Sequence, residues 1–189
     1  MVFLHKAMYS FEIDTLPITE VYRNYGIIDP KIMDTIIGKE FMDDKDTKRG
    51  HLMSDYIYIN HSSSELIKFI KDVASNFLDM NNYKHNKDIW YMDIIRYKLN
   101  NDTYPITSGL AWHCENDNYS NLITVLIYLR LDEGIRNGNL GYIDKYGVKK
   151  TIQIETNTII VMDGTVQHRP ENPTGSGLRD LIAISFKKY

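Results

Sequence analysis

Apolar residues at helical spacing mark two segments in the first half of the chain. The stronger segment runs from Ser62 to Asn81. There Ser62 and Glu65 have the spacing of a capping box, and apolar residues recur every three or four positions, namely Leu66, Phe69, Ile70, Val73 and Phe77. A shorter helix is predicted to begin near Asp29 and Pro30, because aspartate can cap a helix and proline suits its first turn. The N-terminal half is therefore predicted to be helical.

After residue 86 the pattern changes to short runs of β-branched, aromatic and aliphatic residues separated by turn residues. Runs at intervals of about ten residues are typical of a β-sandwich or barrel. The 189 residues suit a single domain, and no repeat or linker divides them. We predict a mainly β fold in which residues 1–88 form a helical support and residues 89–189 form the β core. The predicted strands are Ile89–Leu99, Leu110–Cys114, Leu122–Leu131, Leu140–Asp144, Lys150–Ile154, Thr158–Met162 and Leu181–Phe186.

Composition narrows the classes of function. Hydrophobic residues make up 43% of the chain, which is enough for a sizeable core. A formal net charge of -3 gives no positive field for phosphates and disfavours nucleic acid as the main partner. The single cysteine, Cys114, cannot form an intramolecular disulfide. No run approaches the roughly 20 apolar residues of a membrane helix, and the N-terminus is unlike a signal peptide. These features predict a cytoplasmic protein with no membrane partner, and they leave its oligomeric state open.

Residue types that bind metals and carboxylates follow one another in the second half. His113 and Glu115 are two residues apart at the end of a predicted strand, so their side chains point to one face and could share a metal. Alone, this pair is more simply a strand-end histidine beside a surface glutamate. His168 follows the strand Thr158–Met162, and two imidazoles with one carboxylate are the ligands that hold Fe(II) in oxygenases. Arg179, eleven residues later, has the planar fork that grips the far carboxylate of a dicarboxylate cosubstrate.

In this order the elements resemble the Fe(II)/2-oxoglutarate-dependent oxygenases over about residues 94–186. The segment His168–Phe186 is similar to the end of lysyl hydroxylases, and residues 113–116 with the strand after them are similar to prolyl hydroxylases of the oxygen-sensing type. The resemblance implies a double-stranded β-helix, or jelly roll, packed on supporting helices. It rests on His113-Cys-Glu115, the strand Thr124–Leu129, the turn Gly138-Asn139-Leu140, the strand Thr158–Met162 with Asp163-Gly164, the distal His168, and Gly177-Leu178-Arg179.

The resemblance implies a role for each of five residues. His113, Glu115 and His168 would bind Fe(II). Arg179 would hold the far carboxylate of 2-oxoglutarate, with help from Tyr128, although Tyr128 could equally be packing in the barrel. Two features depart from the family pattern: Glu115 stands where most members have aspartate, and the spacing from His168 to Arg179 is slightly longer than usual.

Several neighbouring residues are weaker candidates. Asp117 is a poorer substitute ligand than Glu115, because it lies past the predicted strand end. Cys114 should point away from the metal and fill the core. Tyr97 and Tyr104 could line the pocket, but a core or surface position is the simpler role for each. The other histidines, His5, His51, His61 and His85, lack an acidic partner at ligand spacing and are assigned to the surface or loops.

The resemblance also implies a reaction, namely oxidative decarboxylation of 2-oxoglutarate to succinate and CO2 coupled to hydroxylation of a C–H bond. A protein side chain, as in prolyl or lysyl hydroxylases, is the favoured substrate, and ascorbate could serve as reductant. Three alternatives stay open. The enzyme could hydroxylate a small molecule or free amino acid, it could modify nucleic acid, or the chain could be a non-catalytic cupin-like binding module.

Overall fold

The computed structural model of the protein describes residues 19–40, 54–58, 65–99, 111–114 and 121–189. These residues form two helices and eleven strands, and the prediction of a mainly β chain is confirmed. The helices are α1 (Lys31–Glu40) and α2 (Glu65–Met80). The strands are β1 (Thr19–Tyr22), β2 (Ser54–Tyr58), β3 (Ile89–Leu99), β4 (Leu122–Leu131), β5 (Ile135–Asn137), β6 (Leu140–Ile143), β7 (Lys149–Ile152), β8 (Thr158–Asp163), β9 (His168–Pro170), β10 (Pro173–Gly175) and β11 (Gly177–Lys187).

The largest sheet has six strands in the order β1-β8-β4-β11-β3-β2, and each neighbouring pair is antiparallel. Two smaller sheets accompany it, with the orders β7-β6-β9 and β10-β5. β11 lies in the middle of the large sheet between β3 and β4. Successive residues of β11 point alternately to the two faces of the large sheet.

The large sheet is covered on both faces by apolar side chains. Its outer face, which includes Val125 and Ile182, packs on the two helices through residues such as Ile70 and Phe77 of α2. Its inner face packs on the small sheet that contains β6 and β7. Since successive strand residues point to opposite faces, strands buried on both sides read as almost continuous apolar runs. This explains why β4 and β8 were predictable from sequence.

Helix α1 begins where the sequence indicates. Asp29 caps α1, because the backbone N–H of Lys31 donates to its Oδ1 at 2.9 Å. The described part of α2 lies within the predicted segment 62–81, while Ser62 of the predicted capping box lies outside the described residues. Neither of the two described helices is long and apolar enough to cross a membrane.

Several short elements differ from the predictions. β1 and β2 come from the segment predicted to be helical support, and they extend the large sheet at its two edges. They are four and five residues long and carry too few apolar positions for a clear alternation. Of the predicted strand 110–114, residues 111–114 are described and form a single bridge at His113. β5 and β10 pair with each other in segments predicted to be turns.

Candidate functional site

His113 and His168 lie side by side although 54 residues separate them in sequence. They form an isolated antiparallel bridge in which each backbone N–H donates to the other residue's carbonyl, at 3.0 and 2.8 Å. The centroids of their imidazole rings are 4.4 Å apart. His168 opens β9 and is 3% exposed. The fold thus brings together two of the three residues predicted to bind a metal.

Both imidazoles are held in the same tautomer by backbone carbonyls. Nδ1 of His113 lies 2.8 Å from the carbonyl oxygen of Ala111, and Nδ1 of His168 lies 3.0 Å from that of Val166. Because a carbonyl only accepts, each Nδ1 carries a hydrogen, and in a neutral ring the lone pair is then on Nε2. Orientation of a ligating histidine through its other ring nitrogen is a common feature of metal sites.

The third predicted ligand, Glu115, lies outside the described residues, and so do Asp117 and Tyr104. Within the residues that the structure describes, no group of three His, Cys, Asp or Glu side chains is placed to hold a metal. Cys114 is described and half-buried. Of the predicted ligand set, the described residues thus bring together the two imidazoles.

Arg179 lies on the inner face at the start of β11 and is 1% exposed. Its Nη2 donates to the carbonyl oxygen of Gly138 at 2.9 Å. Its Nε and Nη1 are buried and have no hydrogen-bond partner among the described residues. A buried polar group without a partner costs about 1–3 kcal/mol, so this guanidinium has the chemistry of an anchor for an anion that would complete its hydrogen bonds.

Two tyrosines enclose this guanidinium. The Cζ atom of Arg179 lies 5.1 Å from the ring centroid of Tyr97 on β3 and 5.3 Å from that of Tyr128 on β4. Burial raises the pKa of both phenols, and the positive charge of Arg179 partly opposes that shift. Both tyrosines are therefore neutral at physiological pH, and the charge of Arg179 is the one that an incoming carboxylate would meet.

The absence of a side chain at Gly138 leaves space for the guanidinium of Arg179. The φ of Gly138 is +76°, in the left-handed region that glycine adopts easily. A Cβ at this position would lie 3.1 Å from Cβ of Pro173 and 3.4 Å from Cζ of Arg179. The Gly-x-Leu turn noted in the sequence thus supplies both a carbonyl acceptor and the space beside Arg179.

A second buried arginine holds the strand that carries Arg179. Arg96 on β3 binds both carboxylate oxygens of Asp180, with Nε at 2.6 Å and Nη2 at 2.7 Å. Its Nη1 reaches Oδ1 of Asp34 on α1 at 2.8 Å. The hydrogen bonds that Arg96 donates to Asp180 raise the pKa of Arg96 further. This network lies on the outer face, directly behind Arg179.

Sequence analysis did not assign the roles of two residues of this site. Tyr97 faces Arg179 rather than serving only as core or surface, and its register opposite Arg179 on β11 was the missing information. The carbonyl of Gly138 carries no sequence signal of its own. Outside this site, His85 lies in the loop between α2 and β3, as one of its two predicted positions allowed, but it is not at the surface: it is 2% exposed, and its Nε2 lies 2.8 Å from Oγ of Ser75. His5, His51 and His61 lie outside the described residues.

No protein-family model and no curated protein matches this sequence. Solved structures do match its fold. A 2OG-Fe(II) oxygenase family oxidoreductase from Burkholderia pseudomallei has a TM-score of 0.64 at 12% identity, covering 90% of this chain and 84% of that one. A Trichoplax adhaerens prolyl hydroxylase, in complex with a hypoxia inducible factor peptide fragment, has a TM-score of 0.61 at 12% identity, covering 90% and 83%. HygX from Streptomyces hygroscopicus, with nickel, 2-oxoglutarate and hygromycin B bound, has a TM-score of 0.56 at 10% identity, covering 92% and 84%.

These similarities extend over most of each chain, and they agree with the resemblance found in the sequence. At identities of 10–12% they establish the fold and not the substrate. The chain therefore has the fold of the Fe(II)/2-oxoglutarate-dependent oxygenases and of the prolyl hydroxylases among them.

Proposed function

We propose that this protein is an Fe(II)- and 2-oxoglutarate-dependent dioxygenase that hydroxylates a C–H bond, with a protein side chain as its favoured substrate. The observation that carries the proposal is the guanidinium of Arg179, which is buried, aligned by one backbone carbonyl, and left with two unpartnered donor atoms among the described residues. A small dicarboxylate is the kind of molecule that would satisfy those donors.

The two histidines fit the metal that such an enzyme uses. Imidazole nitrogens suit iron, and in the neutral rings both Nε2 atoms carry lone pairs because both Nδ1 atoms donate to carbonyls. Glu115 would supply the carboxylate of the ligand set. When bound, iron and 2-oxoglutarate supply the oxidising chemistry that inserts oxygen into the substrate.

The chain's own residues bind and orient the cosubstrate. Arg179 would grip its far carboxylate, and the rings of Tyr97 and Tyr128 exclude water from that ion pair, which strengthens it. Tyr128 would also donate its phenolic hydrogen, because its raised pKa keeps the phenol protonated. The carbonyl of Gly138 fixes the plane of the guanidinium.

We also propose that the strands form a double-stranded β-helix within a single catalytic domain. The small sheet of β6, β7 and β9 lies against the inner face of the large sheet through a shared apolar core, as in a jelly roll. In this arrangement β9 brings His168 and β11 brings Arg179 to the same space between the sheets.

A protein substrate is favoured because the fold matches that of a prolyl hydroxylase seen with a peptide. A small-molecule substrate is the second candidate, because HygX, seen with hygromycin B, has the same fold. Both candidates require the same metal and cosubstrate site.

The test is anaerobic addition of Fe(II) and 2-oxoglutarate, followed through the visible charge-transfer band of the ternary complex. We expect a band in the parent protein, no band in His168→Ala, and a much higher 2-oxoglutarate requirement in Arg179→Met. Arg23→Met, which removes an exposed arginine paired with Glu155, is the matched control and should behave as the parent does. A folded parent protein without a band would overturn the assignment and favour the cupin-like binding module.

A further inference from the structure

One carboxylate, that of Asp93, lies in an otherwise apolar row on the inner face of the large sheet. Asp93 on β3 is opposite Ala183 of β11. Ala183 is opposite Leu126 of β4, and Leu126 is opposite Ile160 of β8. The last three side chains are buried in the inner core. Directly opposite residues in antiparallel strands place their side chains on the same face, so half-buried Asp93 also points into the space between the sheets.

The charge of Asp93 acts on the tyrosine that faces Arg179. Burial is the main cause that raises the pKa of Tyr97, and the positive charge of Arg179 opposes it. The negative charge of Asp93 raises the pKa of Tyr97 further. Since Asp93 and Tyr97 are an even number of residues apart on β3, their side chains lie on the same face of the strand. The carboxylate and the cosubstrate anchor therefore share one space.

The register of β11 gives the position of Asp93 relative to Arg179. Arg179 is opposite Tyr97, and Ala183, four residues later, is opposite Asp93. Four residues of strand span about 13 Å. Asp93 is therefore displaced from Arg179 toward the end of the sheet at which β11 ends.

His168 is displaced from Arg179 toward the same end of the sheet. β8 ends at Asp163, which lies through β4 at the level of Phe186, near the end of β11. From there the chain returns through His168, the first residue of β9, to Pro173, which lies against the same turn glycine as Arg179. His168 therefore lies between that end of the sheet and Arg179.

Asp93 shares this space with the histidine pair but is not placed as a third metal ligand. Tyr142, directly opposite His168, packs against the inner core, so His168 faces the same space as Asp93. Asp93, His113 and His168 are all described, yet no three His, Cys, Asp or Glu side chains of the described residues are grouped to hold a metal. The carboxylate of Asp93 therefore faces the space that a substrate would enter beside the metal.

We infer that Asp93 determines specificity for a cationic substrate, by binding an ammonium group close to the C–H bond that is hydroxylated. This inference rests on the proposed function and specifies its substrate class. Hydrogen bonds between a carboxylate and an ammonium group are charge-assisted, and partial burial strengthens them. The methyl side chain of Ala183 is the smallest that could stand beside Asp93, which leaves space for the cation. A lysine side chain fits this site, whereas a proline side chain offers the carboxylate no charge.

Binding of labelled peptides, followed by fluorescence anisotropy, tests the inference without turnover. The measurements are made under anaerobic conditions on the full chain, with and without added Fe(II) and 2-oxoglutarate. The probes are a short glycine–alanine peptide with one central lysine, and the same peptide with norleucine or with proline at that position. Free L-lysine, added as a competitor, distinguishes a free amino acid from a peptide as the source of the ammonium group.

Three variants separate charge from fold. Asp93→Asn removes the charge at nearly constant shape, and Asp93→Glu keeps the charge. Asp72→Asn is the matched control, because it removes an exposed aspartate of α2, which packs on the outer face of the large sheet.

We expect the lysine peptide to bind the parent about tenfold tighter than the norleucine and proline peptides, as for a close charge pair that is partly dehydrated. Asp93→Asn should lose this preference and keep the parent's affinity for the norleucine peptide, whereas Asp93→Glu and Asp72→Asn should retain the preference. A merely structural role of Asp93 would instead weaken all three peptides alike. Competition by free L-lysine at the concentration of the peptide would assign the ammonium group to a free amino acid, and weaker competition would assign it to a peptide.

Equal affinity of the parent for the lysine and norleucine peptides would overturn the inference, and so would a lysine preference that persists in Asp93→Asn. Failure here is separable from failure of the dioxygenase proposal, because anisotropy needs no reaction. A charge-transfer band without a lysine preference would refute only the role of Asp93. A lysine preference that Asp93→Asn abolishes, in a protein without the band, would refute only the iron and cosubstrate assignment.

Discussion

Two buried arginines on neighbouring strands face opposite sides of the large sheet and have opposite surroundings. Arg96 on the outer face is 5% exposed, and its Nε, Nη1 and Nη2 are all bound to carboxylates of Asp180 and Asp34. Arg179 on the inner face is 1% exposed and donates Nη2 to the carbonyl of Gly138, while its Nε and Nη1 have no hydrogen-bond partner among the described residues. No described carboxylate balances its charge.

This difference is the one we expect between an arginine that supports the fold and an arginine that binds a ligand, which is the role proposed for Arg179. Burying a charge is costly unless it is paired and hydrogen-bonded, and Arg96 meets that condition within the chain. Arg179 does not meet it with the described residues, so we expect its burial to add little to the stability of the fold or to reduce it. A local loss of stability of this kind is typical of binding sites, where the ligand supplies the missing hydrogen-bond partner.

The largest expected effect on stability comes from removing Arg96, which is paired with Asp180. Arg96→Met would leave the carboxylate of Asp180, which is 0% exposed, without its partner. We expect the free energy of unfolding to fall by on the order of 3 kcal/mol, since removing one member of a buried ion pair leaves an uncompensated charge. Urea unfolding followed by circular dichroism measures this loss.

The matched double variant Arg96→Met with Asp180→Leu removes both charges. We expect it to recover most of the stability lost by Arg96→Met, because apolar replacements of a buried pair are often neutral. If Arg96→Met alone unfolds at the same urea concentration as the parent, the buried pair carries no structural role and the comparison fails.

On the unpaired side, Arg179→Met should leave the free energy of unfolding unchanged or raise it, because it removes two unpartnered donor atoms. The same variant should lose about 2 kcal/mol of 2-oxoglutarate binding, or about thirtyfold in affinity. Calorimetric titration of the metal-loaded protein and urea unfolding give the two numbers. A large loss of stability without a loss of affinity would show that Arg179 is structural, like Arg96.

Sequence reasoning identified the strands that are buried on both faces. β3 and β4 begin and end where they were predicted, because each is a long run in which β-branched, aromatic and aliphatic residues predominate. The order of His113, His168 and Arg179 indicated a candidate site through the family resemblance. The structure brings the two histidines together.

The contacts that distinguish the two arginines were not predictable. The pair of Arg96 with Asp180 joins residues 84 apart in sequence, and it depends on the register of β3 against β11. A register is set by the whole sheet and not by either residue alone. The same register puts Tyr97 opposite Arg179, which is why the role of Tyr97 could not be read from its position in the chain.

Tyr128, whose ring lies beside Arg179, should make the free energy of unfolding depend on pH. Burial raises the pKa of Tyr128, so the folded chain retains a proton that the unfolded chain loses above pH of about 10. Since the unfolded state then binds fewer protons, stability falls as pH rises beyond that value. We expect Tyr128→Phe to reduce this loss by about 1 kcal/mol at a pH of about 11.

The measurement is a series of urea unfolding curves from neutral pH upward. Tyr146→Phe, at an exposed tyrosine in the turn before β7, is the matched control. A Tyr128→Phe protein that loses stability with pH as steeply as the parent would mean that this phenol is not dehydrated in the fold, and the dry surroundings assigned to Arg179 would be wrong.

The smallest effect concerns a third arginine, whose ion pair is only half-buried. Nε of Arg130 donates to Oδ1 of Asp132 at 2.7 Å, and Oδ2 of Asp132 accepts the backbone N–H of Leu178 at 2.9 Å, next to Arg179. The hydrogen bond from Arg130 lowers the pKa of Asp132. Its contribution is therefore present above pH of about 4 and is lost as the pH falls through the folded pKa.

Solvent around this pair weakens it, so we expect Asp132→Asn to cost only about 0.5 kcal/mol at neutral pH and to unfold with a shallower dependence on acid than the parent. Urea unfolding at neutral and acid pH measures both quantities. A cost as large as that of Arg96→Met would mean that burial does not decide which arginine pair supports the fold. The contribution of Asp132 to stability would then come from another contact, such as the hydrogen bond that it accepts from the backbone of Leu178 beside Arg179.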